Sequence, residues 1–227
     1  GGDGQDRGGS LGVAVGVALL DHFKEGAQQP HADLVGAVII VAVLGEVALG
    51  LKAGGKAALV THYLHLGVLD GAQGVDDSEF VLWICGFGLD RIFVEEAAKK
   101  DKRIIYWGVV EQKHVFEMQQ QATLLVNPRK GHEEYTKYSF PSKTMEYMAS
   151  GTPTIMYKLP GLPIEYEEYL VLLPDNSQET LTAILKQWGS KTQAELYEFG
   201  EKAKRFILEN KNSEIQASRL MNFIKHS

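Results

Sequence analysis

From Phe80 onward, short apolar runs alternate with segments of helical period, and nothing else in the chain constrains its fold as strongly. The runs Phe80-Val-Leu-Trp-Ile-Cys85, Arg103-Ile-Ile-Tyr-Trp107, Thr123-Leu-Leu-Val126, Pro153-Thr-Ile-Met156 and Leu170–Leu173 are each short enough for a strand. Between them, Asp90–Lys100 puts Ile92, Phe93, Ala97 and Ala98 on one side, and Gln112–Gln121 does the same with Val115, Phe116 and Met118. Lys143–Ser150 is a further predicted helix that Gly151 should stop, and helices over Gln178–Trp188, Gln193–Glu209 and Ser213–His226 are expected to close the chain. Apolar positions three and four apart mark helices, and uninterrupted apolar runs of four to eight residues mark buried strands. Strands alternating with helices at this spacing predict an α/β fold with a doubly wound parallel sheet.

Residues 1–79 follow a different grammar. They carry 4 Lys+Arg against 10 Asp+Glu, hence the whole net charge of −6, and 16 of the 24 glycines. All tryptophans, methionines and asparagines come later. Gly1–Ser10 reads as a disordered tail. Leu34–Leu51 is almost continuously apolar with one charge, Glu46, so a membrane span has to be weighed against buried strands or helices. Its glycines, its Val/Ile content and the lack of an aromatic or basic belt favour burial in a fold. Composition, pattern and turn signals disagree with one another here. That conflict suggests a stretch read out of its native frame upstream of about residue 80, which resequencing the gene across that point would test. Residues 1–79 are therefore an atypical Gly/Ala/Val-rich segment with no assigned role, and 80–227 the organised domain.

The acidic balance argues against a nucleic-acid partner, since no basic excess exists to neutralise phosphates. A single cysteine, Cys85, excludes an intrachain disulfide and a cysteine-rich zinc site, and fits a reducing compartment such as the cytoplasm. His62 and His65 stand three apart without a nearby partner, so no metal site is expected.

Chemistry concentrates between Asn127 and Tyr157. A strand runs into a polar loop holding Arg129 and Lys130, and then into a helix that begins at Ser142-Lys143 and carries Glu146 one turn on. In open α/β sheets, ligands sit beyond the carboxyl ends of the strands, beside helix N-termini whose free N–H groups favour anions. An anionic ligand is expected at this junction.

Four motifs stand in order: Cys85-Gly-Phe-Gly88, Arg103-Ile-Ile-Tyr-Trp-Gly-Val109, Leu125-Val-Asn-Pro128 and Phe140-Pro-Ser-Lys-Thr-Met-Glu-Tyr-Met-Ala-Ser-Gly-Thr-Pro153. Together they resemble the C-terminal, nucleotide-sugar-binding half of a GT-B glycosyltransferase of the retaining glycosyltransferase family 4, over about residues 80–227. The resemblance implies a Rossmann-like domain that takes a nucleoside-diphosphate sugar as donor substrate, with no separate cofactor and no metal. It implies a glycan or lipid-linked acceptor, hence work in polysaccharide biosynthesis in the cytoplasm or, by peripheral association, at the inner face of a membrane. It assigns Ser142 and Lys143 to the diphosphate and Glu146 to the ribose hydroxyls. Arg129 falls where it can reach sugar or phosphate, Gly86 and Gly88 where backbone approaches the donor, and Gly108 and Val109 on the base-contacting edge. The family's second glutamate has Tyr138 in its place, with Glu133 and Glu134 as substitutes in the same loop.

Each assignment has a plainer counterpart: Ser142 as a cap, Lys143 and Arg129 as surface cations, Glu146 as an exposed helix residue, the glycines as turn formers. A non-catalytic nucleotide-binding or interaction module of the same fold is the alternative function, and a GT-B epimerase or phosphorylase the alternative chemistry. No catalytic residue is assigned. Too few residues precede Phe80 to form an acceptor half, so the chain is expected to be the donor-binding part and inactive alone.

Overall fold

The computed structural model describes residues 38–44, 67–75, 80–86, 91–127 and 142–226. Among the described residues six strands form one sheet: β1 (Val38–Leu44), β2 (Phe80–Gly86), β3 (Ile104–Gly108), β4 (Leu124–Asn127), β5 (Thr154–Tyr157) and β6 (Val171–Leu173). Their order is β3-β2-β1-β4-β5-β6 and every pairing is parallel. The described helices are α1 (Gly67–Gln73), α2 (Arg91–Lys100), α3 (Gln112–Gln121), α4 (Ser142–Ser150), α5 (Gln178–Gly189), α6 (Gln193–Asn210) and α7 (Ser213–His226).

Alternating side chains of β2, β4, β5 and β6 feed two apolar layers. Leu82, Ile84, Leu124, Val126, Ile155 and Leu173 join Leu69 and Ala72 of α1, Val94 of α2, and Leu181 and Leu185 of α5. Cys85, Leu125 and Met156 point the other way, toward Phe116 and Met118 of α3, Tyr147 and Met148 of α4, and Ala203 and Ile207 of α6. Strands covered on both faces must be apolar at consecutive positions, which explains their near-continuous runs. The doubly wound parallel sheet expected from the sequence is therefore present.

Two elements of the sheet domain precede Phe80. The unassigned segment 1–79 supplies β1, which pairs with β2 along all seven of its residues and with β4 through Ile40 and Val41. It also supplies α1, where Thr182 of α5 donates to the Gly71 carbonyl at 3.0 Å. The sheet thus begins before residue 80. Val38–Leu44 lies inside the long apolar run, and a central parallel strand needs just such a run, without the alternation that marks a half-exposed strand. Among the described residues no helix is long and apolar enough to cross a membrane.

Local signals set the other boundaries. Gly151 stops α4 at φ +84°, a left-handed conformation that glycine adopts without steric cost. Ser177 caps α5 by accepting from the Thr180 N–H at 3.2 Å, and Thr192 with Glu195 forms a capping box at the start of α6. A 3-10 turn at Ile164–Tyr169, missed in the sequence pattern, stacks Tyr169 on Phe206 of α6 at 4.2 Å between ring centroids.

Candidate functional site

Because all strands are parallel, Gly86, Gly108, Asn127 and Tyr157 end on the same edge of the sheet. The chain winds from β1 through β2 to β3 in one direction and from β4 through β5 to β6 in the other. The crevice between the ends of β1 and β4 is thus the topological switch point. α4 is the helix that follows β4, and its first turn is fastened to that strand. The Asn127 side-chain amide donates to Thr144 Oγ1 at 3.1 Å, and Thr144 is fully buried and donates to Met156 Sδ at 3.7 Å.

That fastening carries Lys143 and Glu146 to the edge of the sheet. Lys143 Nζ donates to both carboxylate oxygens of Glu146, at 3.0 and 2.9 Å. Glu146 is only 5% exposed, and Gln119 of α3 donates its amide Nε2 to Oε1 at 2.5 Å. The expected alternative for Glu146, an exposed helix residue, is therefore excluded. A buried carboxylate is costly unless charge and hydrogen bonds compensate it, and here both are supplied. Lys143 is partly exposed, so its ammonium can be approached from solvent. α3 is itself held in place, since Thr152, just after α4, donates Oγ1 to the Gln119 carbonyl at 2.7 Å.

The other sequence-derived positions fall as follows. Gly86 ends β2 at φ +108°, and its carbonyl accepts from Tyr106 Oη at 2.7 Å. Burial raises the Tyr106 phenol above its ordinary value, with smaller charge effects from Arg91 and Glu95, which keeps it a donor. Gly108 ends the neighbouring strand at φ +65°, with open space where a side chain would stand. Val109 follows it and is 75% exposed. Ser142 opens α4. Gly88, Arg129, Glu133, Glu134 and Tyr138 lie outside the described residues, as do His62, His65 and Lys130. His114 is a surface residue, 3.6 Å from Glu111. Beneath the edge, burial pushes the Cys85 thiol up to about 11, so it is protonated and inert near neutral pH. Gln119 was missed by sequence reasoning. Its signal was a polar residue four after Val115 and three after Phe116, on the apolar stripe of its helix.

A doubly wound parallel sheet with a cationic helix start at its switch point is a Rossmann-like domain, and solved glycosyltransferase structures share the architecture. The chain is similar to Anabaena Alr3699/HepE in complex with UDP and glucose, with a TM-score of 0.61 and 11% identity over 92% of this chain and 53% of that one. It is similar to a mutant of S. aureus TarM in complex with fondaparinux, alpha-GlcNAc-glycerol and UDP, with a TM-score of 0.62 and 14% identity over 87% and 37%. A third likeness is to WaaG, a glycosyltransferase involved in lipopolysaccharide biosynthesis, with a TM-score of 0.54 and 16% identity over 84% and 46%. The chain spans about half the length of these proteins, or less. No curated protein matches it by sequence. Residues 68–189 match the family described as glycosyl transferases group 1, and the chain belongs to that family. The match starts in α1, so the family's territory reaches back into the segment that sequence motifs had left outside it. The fold class is thereby the Rossmann-like half of a GT-B glycosyltransferase.

Proposed function

We propose that this chain is the donor-binding half of a retaining, family 4-like GT-B glycosyltransferase that uses a nucleoside-diphosphate sugar. The observation that carries the proposal is the Lys143–Glu146 pair in the first turns of α4, at the carboxyl edge of the sheet. A leaving diphosphate needs donors already in place where its charge develops, and the free N–H groups at Ser142 together with the Lys143 ammonium supply them. The Glu146 carboxylate is acceptor-only and suits two vicinal ribose hydroxyls. Gly86 and Gly108 let backbone approach the donor and Val109 borders the base, while the family resemblance assigns Arg129 to the sugar or phosphates. With the diphosphate met by cation and helix terminus, no metal or further cofactor is invoked. Retention follows from acceptor attack on the face that the diphosphate leaves, without a protein nucleophile. The acceptor is a glycan or a lipid-linked sugar, handled in the cytoplasm or at the inner face of a membrane by peripheral association.

Calorimetric titration with UDP, GDP and their sugars tests this reading. Lys143→Ala and Glu146→Ala should each weaken nucleotide binding tenfold or more, since a hydrogen bond to a charged group is worth about 1.5–3 kcal/mol. The 227-residue chain should bind donor weakly and transfer no sugar. Binding unchanged in both variants, or sugar transfer by this chain alone, contradicts it.

A further inference from the structure

We propose that Gln119 is a positioning residue of the nucleotide site, holding Glu146 for the ribose while Lys143 is drawn away to the diphosphate. The inference rests on the functional reading above. In the structure, Glu146 takes three hydrogen bonds, two from Lys143 and one from Gln119. A diphosphate competes with Glu146 for the three N–H donors of Lys143, so donor binding draws on the first two. Glu146 would then be a buried carboxylate stripped of its cation, free to swing or to take up a proton. Gln119 prevents both. Its amide is neutral, so a phosphate does not compete for it as it does for a lysine or arginine. A carboxylate only accepts, so the amide nitrogen faces Glu146 whichever way the amide is assigned.

The other end of Gln119 supports a functional reason for its presence. The side chain is fully buried, and Oε1 has no hydrogen-bond partner among the described residues. A methionine or leucine would satisfy the apolar stripe of α3 without an orphaned carbonyl. Buried polar groups left half-satisfied are rare and recur where function retains them. The division of labour is specific: Lys143 exchanges partners, the ribose hydroxyls replace it on Glu146, and Gln119 stays bound throughout.

The test uses the full chain and whichever of UDP and GDP it binds, compared with the 2′-deoxyribose analogue of the same nucleotide. Lys143→Ala should weaken both nucleotides together and leave their ratio unchanged. Gln119→Met should keep the melting temperature and cut the preference for ribose over deoxyribose by about tenfold. Gln119→Leu removes the donor without adding a charge beside Glu146, and should give the same loss if the methionine variant does not fold. An unaltered ratio in the folded Gln119 variants, with the preference lost in Glu146→Gln, overturns the positioning role and leaves the site standing. An unaltered ratio in Glu146→Gln, or no binding of either nucleotide, overturns the site and this inference with it.

Discussion

Gly200 lacks a side chain because its surroundings leave no room for one. A Cβ built there would stand 1.8 Å from the Gly151 carbonyl oxygen, where α6 crosses the turn that ends α4. Gly200→Ala gains about 1 kcal/mol of helix propensity, but the forced separation of α6 from that turn costs about 3 kcal/mol, so the clash wins. Urea denaturation should show the midpoint fall by the difference; an unchanged or raised midpoint contradicts the close approach. At this scale the sequence was unevenly informative. Lys143 and Glu146 were legible because a spacing of three on a helix fixes that they share a face. Gln119 and Gly200 stood equally in view, one polar residue on an apolar stripe and one glycine inside a helix. What each touches is set by an element distant in the chain, and no local pattern records that.

Elements were legible in type and nearly in extent, since capping and apolar period are local properties. The start of α6 shows how. Thr192 accepts from the Glu195 N–H at 3.3 Å, and the Glu195 carboxylate accepts the Thr192 N–H at 2.9 Å and its hydroxyl at 2.7 Å. Those bonds from Thr192, aided by Lys191, hold the Glu195 carboxyl at about 2, against an ordinary 4.5. A carboxyl depressed on folding stabilises the fold above its unfolded value, and that contribution is lost as the pH falls through the folded one. Thr192→Ala should therefore lower the melting temperature at pH 7, and the gap between variant and parent should narrow as the pH approaches about 2, leaving the part due to the Thr192 cap of the Glu195 N–H. A gap independent of pH would mean that the box adds nothing through Glu195. The elements that were not legible are β1 and α1. β1 lies in an apolar run compatible with strand, helix or membrane span, and α1 has no cap signal and only seven residues.

Across the whole molecule, α7 contributes little to the packing around it. None of its residues is buried, and Leu220, Met221, Phe223 and Ile224 are all exposed. Met221→Ser combined with Ile224→Ser should shift stability by less than about 0.5 kcal/mol and reduce self-association in gel filtration. A large drop in melting temperature would show that α7 packs on the sheet domain after all. The opposite holds for β1, the strand that links β2 and β3 to β4, β5 and β6. It leaves the ribosome ahead of the other five, yet its partners arrive only with Phe80 and then Leu124. Until then Val38–Leu44 presents two unpaired edges on an uncharged apolar segment, the pattern that favours intermolecular pairing. Biosynthesis of this chain thus carries a waiting interval during which its most central strand is also its most adhesive one, and yield should depend on chaperone supply more than on the stability of the finished fold.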